Sequence, residues 1–196
     1  MTTIVLARHG ETDWNREDRF QGHADRPLNE HGRRQAHELA ERLRNDRLAA
    51  VYSSPLARAL ETAQIVAAAL GLEVETRDAL REIDVGSWQG LTRDEIQARF
   101  PGDWEAWLDG AGGWTGGETY DELQARVVPE LLALAARHHG ERILVVCHGG
   151  TMRTVQAAAA RLPHADARRV SSPIGNASLL VFRVEEDELR AVDSAA

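Results

Sequence analysis

Two histidines follow apolar runs near opposite ends of the chain, and each is followed by glycine. His9 comes after residues 4–7 and Arg8, and His148 comes after residues 143–147. Such runs predict buried strands, and glycine lets the backbone turn or approach a ligand closely. Because ligands bind at the carboxyl ends of strands in open α/β sheets, two neighbouring strands would bring both imidazoles to one small pocket.

More positive charge is predicted at the same edge. Arg58 lies in the first turn of a helix predicted after a short strand at residues 49–52, and a helix predicted near Thr151 adds its positive end. Two arginines, two histidines and a helix terminus match the charge of a dianionic phosphoryl group. Histidine can act as a nucleophile through one ring nitrogen when a hydrogen bond holds the other. The pattern therefore predicts phosphoryl transfer.

Phosphoryl transfer also needs a proton for the leaving oxygen, which a carboxylic acid can supply and later recover from water. Glu82 follows the third predicted strand, at residues 72–76, and Asp84 lies two positions further on. Their spacing alone leaves the choice between the two carboxylates open.

Composition narrows the class of protein. The chain has 196 residues, a length typical of one domain, and a net charge of −8, which argues against a nucleic-acid partner. All 23 cations are arginine, so mechanisms that need a Walker-type phosphate lysine or a Schiff-base lysine are excluded. The chain has one cysteine, and we find neither a signal-peptide pattern nor an apolar run long enough to span a membrane. These features predict a cytoplasmic protein without a membrane partner.

The predicted strands alternate with helices, which begin after Asn29, at Ser54-Pro55, near Thr119 and after His148. A hairpin is predicted at residues 177–192. This order predicts a three-layer α/β/α sandwich whose mixed central sheet is mostly parallel, with one antiparallel edge strand. Residues 83–118 read as irregular, hold four of the five tryptophans and are predicted to form an insertion beside the active site, within one domain spanning residues 1–196.

The motifs resemble those of the histidine phosphatase superfamily, in its phosphoglycerate mutase-like branch. The matching segments are Arg8-His9-Gly10-Glu11-Thr12 with Asn15, Gln21-Gly22, Asp25 and Pro27-Leu28; Ser53-Ser54-Pro55-Leu56-Ala57-Arg58-Ala59; Leu80-Arg81-Glu82 with Gly86 and Trp88-Gln89-Gly90; Gly117-Glu118; and Val146-Cys147-His148-Gly149-Gly150. They span most of the chain in the family's order. The resemblance implies an enzyme that uses neither metal nor cofactor.

The resemblance also implies a role for each matching residue. His9 would be the phosphorylated nucleophile, and Glu82, rather than Asp84, would be the proton donor. The phosphoryl oxygens would be bound by Arg8, Arg58 and His148, with help from Asn15. The pocket would further be lined by Gln21, Gly22 and Gly149.

Within the family, the chain resembles phosphatases more than mutases. In the mutases, the segment that begins with the acid resembles Glu-Arg-His-Tyr-Gly, whereas residues 82–86 of this chain are Glu-Ile-Asp-Val-Gly. The mutases also carry asparagine at the position of Gly150. They also have a longer, lysine-containing insertion, whereas this one contributes Arg93 and Arg99. The expected activity is a phosphomonoesterase with a phosphohistidine intermediate, acting on a small phosphorylated metabolite.

Other functions stay open. The main alternative is a 2,3-bisphosphoglycerate-dependent phosphoglycerate mutase. A catalytically silent binding module would be expected to lack His9 or Glu82, and both are present. Residues 80–92 and 176–178 are similar to glucosyl-3-phosphoglycerate phosphatases, while the short length equally suits α-ribazole phosphatase-like and broad-specificity enzymes. A homodimer is compatible with the sequence, which does not decide the oligomeric state.

Cys147 offers a competing nucleophile. The segment from Cys147 to Thr154 fits C-x-x-G-x-x-R-T, the phosphate loop of cysteine-dependent phosphatases, but Val146 stands where that loop usually has histidine. Strand alternation also sends Cys147 and His148 to opposite faces of the sheet. We therefore predict that Cys147 is a buried core residue.

Overall fold

The structure is a computed structural model, which describes residues 1–109, 113–163, 166 and 173–192. These residues form a six-stranded sheet in the order β3-β2-β4-β1-β5-β6. The strands are β1 (Thr2–Arg8), β2 (Ala50–Ser53), β3 (Val74–Thr76), β4 (Arg142–Cys147), β5 (Leu179–Glu185) and β6 (Glu188–Val192). The first four run parallel, β5 pairs antiparallel with β1, and β6 pairs antiparallel with β5. The predicted mixed, mostly parallel α/β fold is confirmed. The hairpin β5–β6 forms the antiparallel part of the sheet and lies at one edge of it.

Helices cover both faces of the sheet. They are α1 (Asp13–Arg16), α2 (Glu30–Leu43), α3 (Ala57–Leu70), α4 (Arg93–Arg99), α5 (Pro101–Leu108), α6 (Tyr120–Arg137) and α7 (Gly149–Ala160). Alternate residues of β1 point to different cores: Val5 packs with residues of α2 and α3, whereas Ile4 and Leu6 pack with residues of α6 and α7. The sheet is thus the middle of three layers. No helix in the described residues is long and apolar enough to cross a membrane.

Three of the four predicted helix starts are confirmed, including the start of α7 directly after His148, and one is wrong. Asn29 caps α2 by accepting a hydrogen bond from the Gly32 N–H, and Thr119 caps α6. The predicted cap of α3 at Ser54 is wrong, because α3 begins at Ala57. Its first free N–H, on Ala57, donates instead to Asp25 Oδ1 at 2.7 Å. A cap that comes from a distant loop leaves no local signal in the sequence.

Residues 83–118 are more regular than predicted. They contain a 3₁₀ turn at Gly86–Trp88 as well as α4 and α5. Thr92 and Glu95 form a capping box at the start of α4, a threonine–glutamate spacing that is visible in the sequence. Trp88 is fully buried and contacts an aromatic cluster made of Phe20, Trp104, Trp107 and Trp114. Two of these rings, Trp104 and Trp107, belong to α5 and pack against the core, and the buried Ile96 attaches α4 to it.

Candidate active site

The two histidines of the sequence motifs lie side by side. Because β1 and β4 are neighbours, with Arg8 paired to Cys147 in register, both strands deliver their next residue to the same edge of the sheet. The ring centroids of His9 and His148 are 5.2 Å apart. Both side chains are buried. The expectation that the imidazoles face one another is therefore met.

His9 is held as a neutral imidazole with one nitrogen available. Its Nδ1 lies 2.7 Å from the Gly10 carbonyl oxygen, which can only accept, so Nδ1 carries the proton. Burial, followed by the charges of Arg58 and Arg8, holds the pKa of His9 well below its usual value. Nε2 has no hydrogen-bond partner among the described residues and keeps its lone pair. This is the state in which an imidazole is a nucleophile.

His148 is fixed from the other side. Its Nε2 lies 2.8 Å from Ser54 Oγ, at the end of β2. Burial is the main reason that the pKa of His148 is also well below normal, and the charge of Arg58 adds to it. Within the described residues, its Nδ1 is buried and has no partner.

Two arginines, the fully buried Arg58 and the half-buried Arg8, add positive charge. Arg58 donates from Nη1 and Nη2 to the carbonyls of Ala24 and Gly22, each at 2.8 Å, so the loop after α1 fixes its direction. Arg8 donates to the carbonyl of Ile174, in the segment before β5. Burial lowers the pKa of Arg58 to about 10 and also lowers that of Arg8, but both stay charged at neutral pH. In the described structure, the Nε of each is buried and lacks a hydrogen-bond partner.

A small amide network sits beside His9. The Oδ1 atom of Asn15 accepts from the Thr12 N–H at 3.0 Å, and the Oε1 atom of Gln21 accepts from the Thr12 hydroxyl at 3.0 Å. Asn176 donates to the carbonyl of His9 at 3.0 Å. With their oxygens engaged, Asn15 and Gln21 keep their NH₂ groups as donors for an anion. Asn176 was not among the predicted site residues.

Glu82 reaches the site at the N-terminus of α7. Its carboxylate accepts the N–H groups of Ile83, Gly150 and Thr151, each at 3.0 Å. A Cβ atom at Gly150 would lie 2.6 Å from Glu82 Oε1, so this contact needs glycine. Asp84 instead accepts from the Gly86 N–H and does not line the cleft described below.

The loop that carries Glu82 is held by one side chain of α6. Arg126 donates to the carbonyls of Ala79, Arg81 and Glu82, at 2.7 to 2.9 Å, and forms a two-pronged ion pair with Glu118. Neither spacing nor the family motifs pointed to this residue, because its partners are backbone carbonyls some 45 residues earlier in the chain.

These residues surround a cleft of about 180 Å³. Its lining includes seven of the nine predicted site residues, namely Arg8, His9, Asn15, Gln21, Gly22, Arg58 and Glu82. His148 and Gly149 are not among its lining residues. The lining also includes Arg19, Trp107, Trp114, Tyr120 and Arg153, none of which was predicted as a site residue. A larger groove, of about 830 Å³, lies between α6, α7 and β6 and shares no residue with the cleft.

The competing cysteine nucleophile is ruled out by its environment. Cys147 is completely buried in the core on the α6 and α7 side of the sheet. Burial raises the pKa of its thiol, so the thiolate that a cysteine nucleophile needs does not form at neutral pH. In the part of the chain that the structure describes, no group of three or more histidine, cysteine, aspartate or glutamate side chains is arranged to hold a metal ion.

The comparisons with known proteins agree with this geometry. Residues 4–195 match the family model of the histidine phosphatase superfamily (branch 1), and the chain belongs to that family. It is 44% identical to phosphoglycerate mutase-like protein 4 of Arabidopsis thaliana, over 92% of this chain and 79% of that protein. It is 36% identical to phosphoserine phosphatase 1 of Hydrogenobacter thermophilus, over 81% of this chain and 76% of that protein.

A solved structure shares the whole fold. Mycobacterial glucosyl-3-phosphoglycerate phosphatase, in a complex with VO₃, superimposes with a TM-score of 0.88 at 33% identity, covering 97% of this chain and 96% of the other. Family membership and these named relatives identify the chain as a phosphatase.

Proposed function

We propose that the protein is a metal-independent phosphomonoesterase that hydrolyses small phosphorylated metabolites through a phosphohistidine at His9. The observation that carries this proposal is the neutral His9, with its free Nε2, beside His148, the buried Arg58 and the half-buried Arg8. The two guanidinium cations supply the charge stabilisation that a metal would otherwise give to the phosphoryl oxygens. The named phosphatases among the relatives support the substrate class, since their names specify phosphoserine and glucosyl-3-phosphoglycerate.

In the first step, His9 Nε2 attacks phosphorus and the bond between phosphorus and the ester oxygen breaks. Arg8, Arg58 and His148 bind the phosphoryl oxygens, on which negative charge lies in the transition state. Glu82 gives a proton to the leaving oxygen, so the alcohol departs neutral. This step starts from the protonated carboxyl of Glu82.

In the second step, water attacks the phosphohistidine and the phosphorus–nitrogen bond breaks. The Glu82 carboxylate removes the proton from the attacking water, and His9 leaves as the neutral imidazole with which the cycle began. Inorganic phosphate is released. Each residue thus returns to its starting protonation state without an external reductant, oxidant or cofactor.

Hydrolysis fits this site better than mutase chemistry. A mutase keeps its phosphohistidine away from water while the substrate reorients. The insertion holds two short helices and no lysine, and glycine stands at position 150, where the family resemblance associates asparagine with mutases. A cytoplasmic location and the oligomeric state stay predictions.

The deciding experiment follows phosphate release from phosphoserine, 3-phosphoglycerate and p-nitrophenyl phosphate in the presence of a chelator, beside a phosphoglycerate mutase assay. We expect phosphate release to exceed mutase turnover and to survive chelation. The variant His9→Ala should lose turnover and acid-labile labelling by substrate phosphate. His37→Ala removes an exposed histidine of α2 and should retain both. Hydrolysis that persists in His9→Ala, or depends strictly on a divalent ion, would refute the mechanism.

A further inference from the structure

Two of the lining arginines, Arg19 and Arg153, were not predicted as site residues, and they differ in their partners. Arg19 is occupied, because it forms ion pairs with Glu17 and Glu95 at 2.9 and 3.0 Å and donates to the Gly90 carbonyl. Arg153 has neither a hydrogen bond nor an ion pair among the described residues, and its Nε is buried. A half-buried cation without a partner is unfavourable unless an anion joins it.

The position of Arg153 indicates which part of a substrate it would meet. It lies on α7 three residues after Gly150, and residues at that spacing share one face of a helix. The Gly150 N–H holds the Glu82 carboxylate, and Arg153 follows Gly150 by about one helical turn, ~5 Å along the helix axis. Glu82 faces the leaving oxygen in the proposed reaction. Arg153 therefore faces the leaving group beyond that oxygen.

We propose that Arg153 binds a carboxylate carried by the leaving group, about three bonds from the ester oxygen, and so makes the enzyme selective for phosphorylated hydroxy and amino acids. This proposal rests on the phosphomonoesterase activity proposed above. A guanidinium forms two parallel hydrogen bonds with a carboxylate, which fixes the orientation of the substrate as well as its charge. Trp107, Trp114 and Tyr120, which also line the cleft, give the carbon skeleton an apolar surface.

Electrostatics at the site agree with this assignment. The charge of Arg153 contributes to lowering the pKa of Arg8, which means that the two cations repel one another electrostatically. A substrate with a phosphoryl group at one end and a carboxylate at the other would neutralise both.

The test compares substrates that differ at the carboxylate alone. 3-Phosphoglycerate and glycerol 3-phosphate share the phosphoester and the hydroxyl, and the second has an alcohol in place of the carboxylate. We expect Arg153→Gln to lower kcat/KM for 3-phosphoglycerate on the order of 10- to 100-fold, the scale of a lost charge-assisted pair. It should change kcat/KM for glycerol 3-phosphate less than threefold (~0.6 kcal/mol). That retained activity also demonstrates that the variant is folded.

Two further variants sharpen the result. Arg153→Lys keeps the charge without the planar fork and should recover part of the discrimination. Arg161→Gln removes an exposed arginine at the far end of the same helix and should leave both substrates unaffected. An equal loss on both substrates, or no loss on either, would overturn the proposal.

A binding measurement separates this proposal from the proposed function. In the His9→Ala background, titration calorimetry gives the affinity for the two ligands without turnover. Arg153→Gln should weaken binding of 3-phosphoglycerate and leave binding of glycerol 3-phosphate unchanged, even if the native protein hydrolyses neither. Absence of hydrolysis would then count against the phosphomonoesterase alone, while equal weakening of both ligands would count against the carboxylate site alone.

Discussion

At the scale of single residues, the site depends on protonation states that the fold imposes. His9 is neutral because it is buried beside two cations, and its proton sits on Nδ1 because a carbonyl accepts it there. The sequence motifs identified His9, but burial and the Gly10 contact decide which nitrogen can react. A motif names a residue type, whereas the tertiary structure sets its chemistry.

The proton donor can be tested by changing the leaving group. Glu82→Gln should be much slower on 3-phosphoglycerate, whose leaving oxygen needs a proton, than on p-nitrophenyl phosphate, whose leaving group needs little protonation. Asp84→Asn is the control, because Asp84 accepts from Gly86 and does not line the cleft. Single-turnover kinetics should be used, since Glu82 also activates water in the second step. A substrate-dependent defect in Asp84→Asn, with none in Glu82→Gln, would reassign the acid.

Gly150 provides a second residue-scale prediction. Gly150→Ala introduces a Cβ 2.6 Å from Glu82 Oε1, so the carboxylate must move from the α7 N-terminus. We expect kcat/KM for 3-phosphoglycerate to fall about tenfold or more, the scale of a displaced acid–base group, while the melting temperature changes little. Gly102→Ala, where nothing lies within 4 Å of the added Cβ, should retain full activity. Full activity of Gly150→Ala would mean that the position of Glu82 tolerates this shift.

At the scale of elements, the loop that carries Glu82 depends on α6 rather than on its own sequence. Arg126 binds three of its carbonyls and is itself paired with Glu118. Arg126→Met should therefore lower the free energy of unfolding by about 3 kcal/mol, since it leaves Glu118 and the carbonyls without their donor. Chemical denaturation measures this loss. Arg137→Met, an exposed arginine of the same helix, should cost less than about 1 kcal/mol.

The same variant has a kinetic signature that distinguishes positioning from stability. Arg126→Met should impair hydrolysis of 3-phosphoglycerate more than that of p-nitrophenyl phosphate, because a displaced Glu82 matters most for a poor leaving group. Arg126→Lys should restore little, since an ammonium cannot reach both Glu118 and the loop carbonyls. Equal impairment of both substrates would indicate that Arg126 acts through folding alone.

The elements differ in how well the sequence predicts them. The central strands β1 and β4 were predicted from their apolar runs, because a strand that is buried on both faces has a continuous apolar sequence. The start of α3 was misplaced because Ser54 binds His148 while Asp25 supplies the cap. The helix α5 was missed because its tryptophans pack against residues far away in the chain, whereas the capping box of α4 was visible in the sequence.

At the scale of the whole molecule, the chain is acidic, yet its cleft concentrates positive charge. A net charge of −8 coexists with Arg8, Arg58 and Arg153 around one small volume. The parallel strands produce this contrast, because their carboxyl ends meet at one edge of the sheet. The family motifs predicted Arg8 and Arg58 at this edge, but not Arg153, whose place in the cleft follows from how α7 packs.

Gathering buried histidines at this edge also makes stability depend on pH. The pKa values of His9 and His148 are well below normal in the folded protein, whereas in the unfolded chain they return to about 6.5. Below pH 6.5 the unfolded chain therefore binds more protons, so this part of the stability is complete above pH 6.5 and is lost as the pH falls. Each histidine contributes a slope of up to about 1.4 kcal/mol per pH unit in that window.

We therefore expect the free energy of unfolding to fall between pH 8 and pH 5.5, and to fall less in His9→Asn because one buried titrating group is gone. Urea denaturation in buffers free of phosphate and sulfate measures this, since an anion bound at the cleft would add its own stabilisation. Carboxylates titrate alike in both proteins, so the difference between the two pH dependences isolates His9. Identical pH dependences would contradict the lowered pKa, and with it the neutral nucleophile on which the proposed mechanism rests.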